Sequence, residues 1–263
     1  MTPHRVFIVG HEGTTGLRIH ERLSDRKDIE LLATADEDRK NVEAIKVVAK
    51  KADLVFLCLP DVASKEIMAA IGDFPCKVID TSTAFRTTAG WAYGFPELGE
   101  SYKTDIATKK HIANPGCHAS GMIACIAPLV KAGLVPADYP FTITSLTGYS
   151  GGGKKMIGQY ESSPKDYFLY APRQYGLGQE HKHLPEVQHV CGLSEAPIFM
   201  PIVDDYYSGM EVTVGIHSRL CHKPVCIDKV QQVLEDFYKH STIITVAPFT
   251  ENSNTSMLNA NQL

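Results

Sequence analysis

The sequence is short of several features that would assign a protein to a broad class. Its apolar stretches fall well below the ~18 residues that a membrane-spanning helix needs, and the first residues, MTPHRVFIVG, lack the layout of a secretion signal. The 26 lysines and arginines are outnumbered by 30 aspartates and glutamates, so the charge gives no indication of binding to nucleic acid or to an anionic membrane. We therefore expect a globular protein of the cytoplasm, with no nucleic-acid partner and no membrane partner.

Paired cysteines are missing as well. The seven cysteines are scattered along the chain without a CxxC pair, which argues against a disulfide framework and against a zinc site. We expect reduced thiols and no bound metal. Cys58, Cys76 and Cys125 are predicted to be buried, whereas Cys117 directly follows the turn-like residues ANPG.

What is present in the first half is an alternation of short apolar runs with segments of helical spacing. Strands are predicted at 6–9, 29–35, 53–59 and 77–80, and helices at 41–51 and 62–71. Such an alternation predicts βαβ units and a parallel sheet that is covered on both faces. Two further strands, at 142–147 and 210–216, indicate a second sheet in the remainder of the chain.

A glycine-rich turn lies between the first strand and the following helical segment. Gly10, Gly13 and Gly16 form the pattern G-x-x-G-x-x-G, and small residues there let the backbone approach a pyrophosphate at a helix N-terminus. Thr14 and Thr15 can add hydroxyl donors. The strand before the pattern and the helix after it favour a dinucleotide site over an ordinary glycine turn.

The residues after the second strand leave the choice of dinucleotide open. Asp36 lies about 20 residues beyond the glycines, where an acidic side chain can bind a ribose hydroxyl, and this would favour NAD. Arg39 and Lys40 could instead hold a 2′-phosphate, and this would favour NADP.

The cysteine at position 117 stands before a segment of helical spacing, HASGMIACIAPLVKAG. Cys117 is therefore predicted at or just before a helix N-terminus, where backbone N–H groups lower a thiol pKa and stabilise a developing oxyanion. From this position alone, a nucleophile and a buried turn cysteine are equally good interpretations.

Two other stretches contain side chains that can act with such a thiol. Arg86, in DTSTAFR after the fourth predicted strand, could hold a phosphate or carboxylate in a bidentate fork, or could be an ordinary surface arginine. In GQEHKHLPE, Pro185 is predicted at the first helical position, so that His181 and His183 precede the helix in extended chain and face the same way. They could supply an acid/base, could form a metal pair, or could be solvated in a charged loop.

Five segments taken together resemble N-acetyl-γ-glutamyl-phosphate reductases, the NADPH-dependent enzymes of arginine biosynthesis, and more closely their shorter form. The matching segments occur in the family's order over about residues 5–215: VGHEGTTG, DTSTAFRT followed by WAYGFPEL, ANPGCHASG, TGYSGGGKK and EHKHLPE. Aspartate-semialdehyde dehydrogenase is a relative that shares the plan but has a different histidine setting. The resemblance implies a Rossmann-like parallel-sheet domain followed by an α+β substrate domain, and a homodimer or homotetramer.

The resemblance also implies roles for individual residues. Cys117 would attack the acyl phosphate and form a thioester, NADPH would reduce it to the semialdehyde, and His181 or His183 would be the acid/base. Arg86 and Asn114 would bind substrate. The cofactor would be NADP(H), bound by Gly10, Gly13, Thr14, Thr15, Gly16, Arg39, Ser82, Ser150 and Gly151.

The resemblance further predicts three parts of the chain: a cofactor domain over 1–117, a substrate and oligomerisation domain over 118–250, and a C-terminal segment that starts at 251. Family members continue past a segment like TSMLNANQL into a helix that helps to bind the cofactor, whereas this chain stops at Leu263. We therefore expect a truncated C-terminal segment. Two alternatives stay open, a related dehydrogenase of another acyl phosphate and an inactive nucleotide-binding remnant.

Overall fold

The computed structural model of the protein describes residues 2–249, which divide into two compact units at the Pro115–Gly116 junction. The predicted C-terminal segment, 251–263, lies outside the described residues. The first unit contains strands β1 (His4–Val9), β2 (Ile29–Leu32), β3 (Leu54–Leu57), β4 (Lys77–Asp80), β5 (Ala92–Tyr93) and β6 (His111–Ala113), and helices α1 (Thr14–Ser24), α2 (Val42–Ala49), α3 (Asp61–Ile71) and α4 (Glu100–Thr108).

The sheet of the first unit is parallel throughout, in the order β2-β1-β3-β4-β6-β5. The apolar run VFIV of β1 is buried at every residue, as expected for a strand covered on both faces, whereas the run LVFL of β3 alternates half-buried and buried residues. Helix α2 starts where the Asn41 side chain accepts hydrogen bonds from two backbone N–H groups, and it buries Ile45 and Ala49 against this sheet. The Rossmann-like prediction is confirmed, although the second strand ends at Leu32 and not at residue 35.

The second unit is built on a mixed four-stranded sheet. It contains helices α5 (Cys117–Lys131), α6 (Gly153–Tyr160), α7 (Leu184–Cys191) and α8 (Ile227–Tyr238), and strands β7 (Thr142–Gly148), β8 (Arg173–Gln174), β9 (Ile198–Asp204) and β10 (Met210–Gly215), with the sheet order β10-β7-β9-β8. Both predicted strands of this half are present. Helix α5 packs so closely on β10 that a Cβ added to Gly121 would lie 2.5 Å from a methyl group of Val212.

The start of α7 differs from the sequence prediction. The helix begins at Leu184, so Pro185 is its second residue and not its first. His183 is the N-cap and has helical backbone angles, φ −87° and ψ −13°, within a turn. The prediction that His181 and His183 lie in extended chain is therefore wrong, because a proline at either of the first two helical positions is compatible with a tight turn before it.

No helix among residues 2–249 is both long enough and apolar enough to cross a bilayer.

Candidate active site

The glycine-rich loop after β1 has a conformation that only glycine tolerates at two positions. Gly10 has φ +84°, and a Cβ there would lie 2.4 Å from the carbonyl oxygen of Cys58. A Cβ on Gly16 would lie 2.4 Å from the carbonyl oxygen of Gly10. The Gly13 N–H donates to that same oxygen over 3.0 Å, and α1 begins at Thr14 without a side-chain cap. The tight loop and the open helix N-terminus fit the pyrophosphate of a dinucleotide.

Of the residues considered for the ribose end of a dinucleotide, Arg39 contacts the glycine-rich loop. Its Nη1 atom lies 2.5 Å from Oε1 of Glu12, and both side chains are exposed. Asp36 opens the short 3-10 turn Asp36–Asp38 after β2, and its side chain is exposed, as is that of Lys40. The ion pair holds a guanidinium beside the loop that is predicted to take the phosphates.

Arg86 is buried, with 8% of its surface exposed, and it bonds to backbone carbonyls. Its Nε donates to the oxygen of Asn114 over 2.9 Å, and its Nη2 donates to the oxygen of Thr81 over 3.1 Å. The Asn114 side-chain amide in turn donates to the carbonyl of Pro115. Arg86 therefore ties the loop after β4 to the segment after β6, and substrate binding by Arg86 and Asn114 stays a prediction.

The predicted cofactor residue Ser82 is bonded to a buried carboxylate at the end of β4. Both the N–H and the hydroxyl of Ser82 donate to Oδ1 of Asp80, over 2.9 Å and 2.5 Å. Burial raises the pKa of Asp80. The two remaining predicted cofactor residues, Ser150 and Gly151, lie in the second unit, in the 3-10 turn Tyr149–Gly152 after β7, where the Ser150 N–H donates to the carbonyl of Tyr207.

Cys117 is the first residue of α5, and its side chain is exposed. The N-cap, Gly116, supplies no side-chain cap, but its own N–H donates over 2.8 Å to Oε1 of Glu186, a carboxylate that is 2% exposed. An exposed thiol among the N–H groups of a helix N-terminus is in a setting that favours the thiolate.

The histidine that follows the cysteine is buried and fully hydrogen bonded. His118 is 3% exposed; its Nδ1 lies 2.8 Å from Oγ of Ser145, and its Nε2 lies 2.8 Å from the hydroxyl of Tyr175. Burial lowers the pKa of His118 to about 4, and the charge of His181 adds to this effect. His118 is therefore neutral at pH 7.

The two histidines predicted from the sequence lie around His118. Ring centroids are 5.6 Å apart for His118 and His181, 5.7 Å for His118 and His183, and 4.7 Å for His181 and His183. Phe199 of β9 packs against His118 and His181 at 5.2 Å and 5.1 Å. We call His118, His181 and His183 the histidine cluster. Its first member was not predicted, although a histidine inside the first turn of an otherwise apolar helix is the signal that marks it.

The members of the histidine cluster differ in access. His183 is 4% exposed, whereas His181 is half-buried. The His183 N–H donates to Nδ1 of His181 over 3.2 Å. Burial lowers the pKa of His181, and the neighbouring Lys182 lowers it further. His181 is thus a neutral imidazole with a solvent-accessible side.

Four of the other cysteines are less accessible than Cys117: Cys58, Cys76, Cys125 and Cys191. Cys76 and Cys191 are buried, and burial raises the pKa of Cys191 to about 12. Cys58 and Cys125 are half-buried and not buried as predicted; burial nevertheless raises both pKa values, that of Cys58 to about 11. These thiols remain protonated at neutral pH.

The metal-pair interpretation of the two histidines receives no support from further ligands. Within residues 2–249, no three histidine, cysteine, aspartate or glutamate side chains are grouped so that they could hold a metal ion.

Two family models match the chain, one for each unit. The semialdehyde dehydrogenase NAD binding domain matches residues 5–105, and the semialdehyde dehydrogenase dimerisation domain matches residues 117–263.

The chain is also similar in sequence to curated reductases and similar in fold to solved dehydrogenase structures. An N-acetyl-gamma-glutamyl-phosphate reductase 2 of Pseudomonas putida is 43% identical over 92% of this chain and 77% of its own length, and an N-acetyl-gamma-glutamyl-phosphate reductase of Chelativorans is 43% identical over 93% and 79%. Among solved structures, aspartate semialdehyde dehydrogenase II of Vibrio cholerae has a TM-score of 0.67 at 18% identity, over 90% of this chain and 79% of that one. Aspartate semialdehyde dehydrogenase of Candida albicans, solved with NADP, has a TM-score of 0.62 at 16% identity, over 89% and 76%.

Proposed function

This chain belongs to the semialdehyde dehydrogenase family, among its N-acetyl-γ-glutamyl-phosphate reductases, and from that premise we propose that it reduces N-acetylglutamyl 5-phosphate to N-acetylglutamate 5-semialdehyde with NADPH. The observation that carries this proposal is an exposed cysteine at a helix N-terminus whose next residue lies in the histidine cluster. The reaction belongs to arginine biosynthesis. Acyl transfer to a thiol followed by reduction needs a nucleophile and an acid/base, and these residues supply both.

The nucleophile is Cys117. Its sulfur attacks the acyl carbon, the bond from that carbon to the phosphate oxygen breaks, and inorganic phosphate leaves, so that a thioester remains. NADPH, when bound, would supply the hydride for the reduction of this thioester. The backbone N–H groups at the start of α5 stabilise negative charge on the sulfur and on the oxygen of the adduct. Release of the aldehyde returns the sulfur as a thiolate.

The acid/base is His181 in preference to His183. A neutral imidazole can accept the thiol proton and later donate one to the oxygen of the adduct. The half-buried position of His181 leaves it accessible to substrate, whereas His183 is buried and its backbone N–H bonds to the His181 ring. We expect His181→Asn to lower turnover by roughly 100- to 10,000-fold and His183→Asn to affect substrate affinity more than turnover. The reverse pattern would exchange the two roles.

The first unit binds the cofactor, and its loop after β1 would hold the pyrophosphate on Gly10, Gly13, Gly16 and the N-terminus of α1. The Arg39 guanidinium beside this loop supports NADPH as the preferred form, since it can bond to a 2′-phosphate.

Cofactor preference is tested by replacing the two basic residues after β2. The double substitution of Arg39 and Lys40 by alanine should weaken NADPH binding much more than NADH binding, as measured by fluorescence titration of the reduced cofactor. Equal losses for the two cofactors would contradict a role in 2′-phosphate binding.

We also propose a homo-oligomer, a homodimer or a homotetramer, in the cytoplasm. The matching of a dimerisation-domain model to residues 117–263 supports the oligomer, and the seven free cysteines support a reducing compartment. We also propose a substrate-binding role for Arg86 and Asn114. The hydrogen bond from Arg86 to the Asn114 carbonyl would fix the loop after β4 and the segment after β6 in the conformation that binds substrate.

The decisive experiment follows the reaction backwards on this 263-residue chain. N-acetylglutamate 5-semialdehyde, phosphate and NADP should yield NADPH absorbance, and Cys117→Ser should abolish it while NADP binding persists, because an alcohol at a helix N-terminus stays protonated. Turnover of a different semialdehyde in preference would indicate another acyl phosphate as substrate. Cofactor binding with no turnover of any would contradict the proposed activity.

A further inference from the structure

Gln179, which lies shortly before His181 in the segment GQEHKHLPE, has a backbone conformation that is costly for a side chain with a Cβ. Among residues 2–249 it is the one residue other than glycine with a positive φ, +57°. Its N–H donates to the carbonyl of Gly176 over 3.1 Å and closes a tight turn. A strained residue of this kind persists where surrounding contacts fix it, and such residues are concentrated at functional sites.

The contacts that fix Gln179 are two hydrogen bonds between its side-chain amide and the backbone of Phe199 on β9. The Phe199 N–H donates to Oε1 of Gln179 over 2.7 Å, and Nε2 of Gln179 donates to the Phe199 carbonyl over 2.9 Å. Strand β8 pairs with Ile202 and Val203 of β9 and ends before it reaches Phe199. The amide of Gln179 therefore takes the place of a backbone pairing along the edge of β9 beyond β8, and a backbone donor and a backbone acceptor are both satisfied by one side chain.

The ring of Phe199 connects this edge to the histidine cluster. Phe199 is 1% exposed, and its ring centroid lies 5.1 Å from that of His181 with the two planes at 79°, an edge-to-face contact. The turn itself also lies beside the imidazole, since a Cβ on Gly176 would be 3.9 Å from Cδ2 of His181. Gln179 thus ties together the turn that leads to His181 and the strand residue whose ring packs on it.

We propose that Gln179 is a positioning residue for His181: its amide fixes the turn on the backbone of Phe199 and so holds the His181 ring against the Phe199 ring. The relevance to catalysis rests on the proposed function, in which His181 is the acid/base. The placement of the ring is a property of the free protein and is measurable without substrate. Displacement of a reacting group by about 1 Å can cost ~100-fold in rate, which sets the scale of the expected effect.

The first test is a double-mutant cycle on turnover of the semialdehyde. Gln179→Ala should lower turnover about 10- to 100-fold with little change in KM. In a His181→Asn background the same substitution should lower turnover little further, because a positioning residue acts through the ring that it places. Gln174→Ala, which alters an exposed glutamine of β8, is the matched control and should keep the turnover of its parent. A loss that is undiminished in the His181→Asn background overturns the proposal.

The variant Gln179→Gly separates the amide contacts from the backbone strain. Glycine adopts a φ of +57° without strain but has no amide, so this variant should lower turnover as much as Gln179→Ala. Gln179 is exposed, so both variants are expected to fold, and circular dichroism checks this. Wild-type turnover in Gln179→Gly would assign the alanine effect to strain and overturn the proposal.

The second test reads the placement of His181 in the free chain. Exchange of its ring C2 proton for deuterium is followed over a range of pH by mass spectrometry, with fragmentation to resolve neighbouring histidines. Burial lowers the pKa of His181, so release of the ring into water in Gln179→Ala and Gln179→Gly should raise the midpoint, whereas Gln174→Ala should leave it unchanged. The titratable groups beside the ring, which all variants retain, include Lys182, Tyr175, His118 and His183. An unchanged midpoint in Gln179→Gly overturns the proposal, whether or not the chain reduces the acyl phosphate.

Discussion

The burial of His118 makes the stability of this protein depend on pH. The imidazole has a pKa of about 4 in the folded chain, against an ordinary value of 6.5, because burial disfavours its charged form. Between these values the unfolded chain binds a proton that the folded chain does not, so stability is complete above pH 6.5 and is lost as the pH falls towards 4. With a His118 pKa of 6.5 in the unfolded chain and about 4 in the folded chain, the free energy of unfolding falls by about 2 kcal/mol between pH 7 and pH 5.

The assay compares urea unfolding, followed by circular dichroism, for the wild type and His118→Gln at pH 7, 6 and 5. Carboxylates and other histidines titrate in both proteins, so the difference between them isolates His118, and the variant should lose about 2 kcal/mol less than the wild type. His20→Gln removes an exposed histidine and is the matched control, with the pH dependence of the wild type. Equal pH dependence in His118→Gln and the wild type, or an NMR titration of His118 centred near 6.5, would refute the reasoning.

Three further predictions concern groups around the same site. Cys117 should react with iodoacetamide at pH 7.5 much faster than Cys191, whose pKa of about 12 keeps it protonated, and equal rates measured by mass spectrometry would count against an exposed nucleophile. Lys182→Ala should raise the pKa of His181 and move the acid limb of the turnover profile to higher pH; a shift to lower pH would reverse the sign of that interaction. Glu186→Ala leaves the N-cap N–H of α5 without its acceptor and should cost about 1–3 kcal/mol in urea unfolding, whereas Glu186→Gln keeps an acceptor and should cost less.

The first unit was predictable from the sequence because its signals are local. A continuous apolar run predicts a buried parallel strand, and a glycine pattern between a strand and a helix predicts the loop that Gly10 and Gly16 form. Each of these two signals lies within one short segment of the sequence. The end of β2 was placed too late because apolar residues continue past Leu32 after pairing with β1 has ended.

The site in the second unit depends on contacts that are distant in sequence, and these were only partly predictable. The nucleophile was predicted at a helix N-terminus, where the structure has Cys117. The carboxylate of Glu186 lies 70 residues from the Gly116 N–H that it accepts, and the Tyr175 hydroxyl lies 57 residues from His118. The pattern of residues within one segment does not indicate which distant residue will contact it, and so neither Glu186 nor Tyr175 was predicted as a partner.

Arg86 shows why a residue type in a motif does not by itself assign a role. A guanidinium at the end of a strand is equally suited to a substrate phosphate and to backbone carbonyls, because both offer oxygen acceptors in the plane of the fork. In this protein two of its nitrogens donate to carbonyl oxygens, and it is 8% exposed. The loops that it joins carry Ser82 on one side and Asn114 on the other, so a substitution there would disturb several predicted contacts at once. Loss of activity in such a variant is therefore a weaker argument for substrate binding than loss in His181→Asn, where the altered ring has a solvent-accessible side.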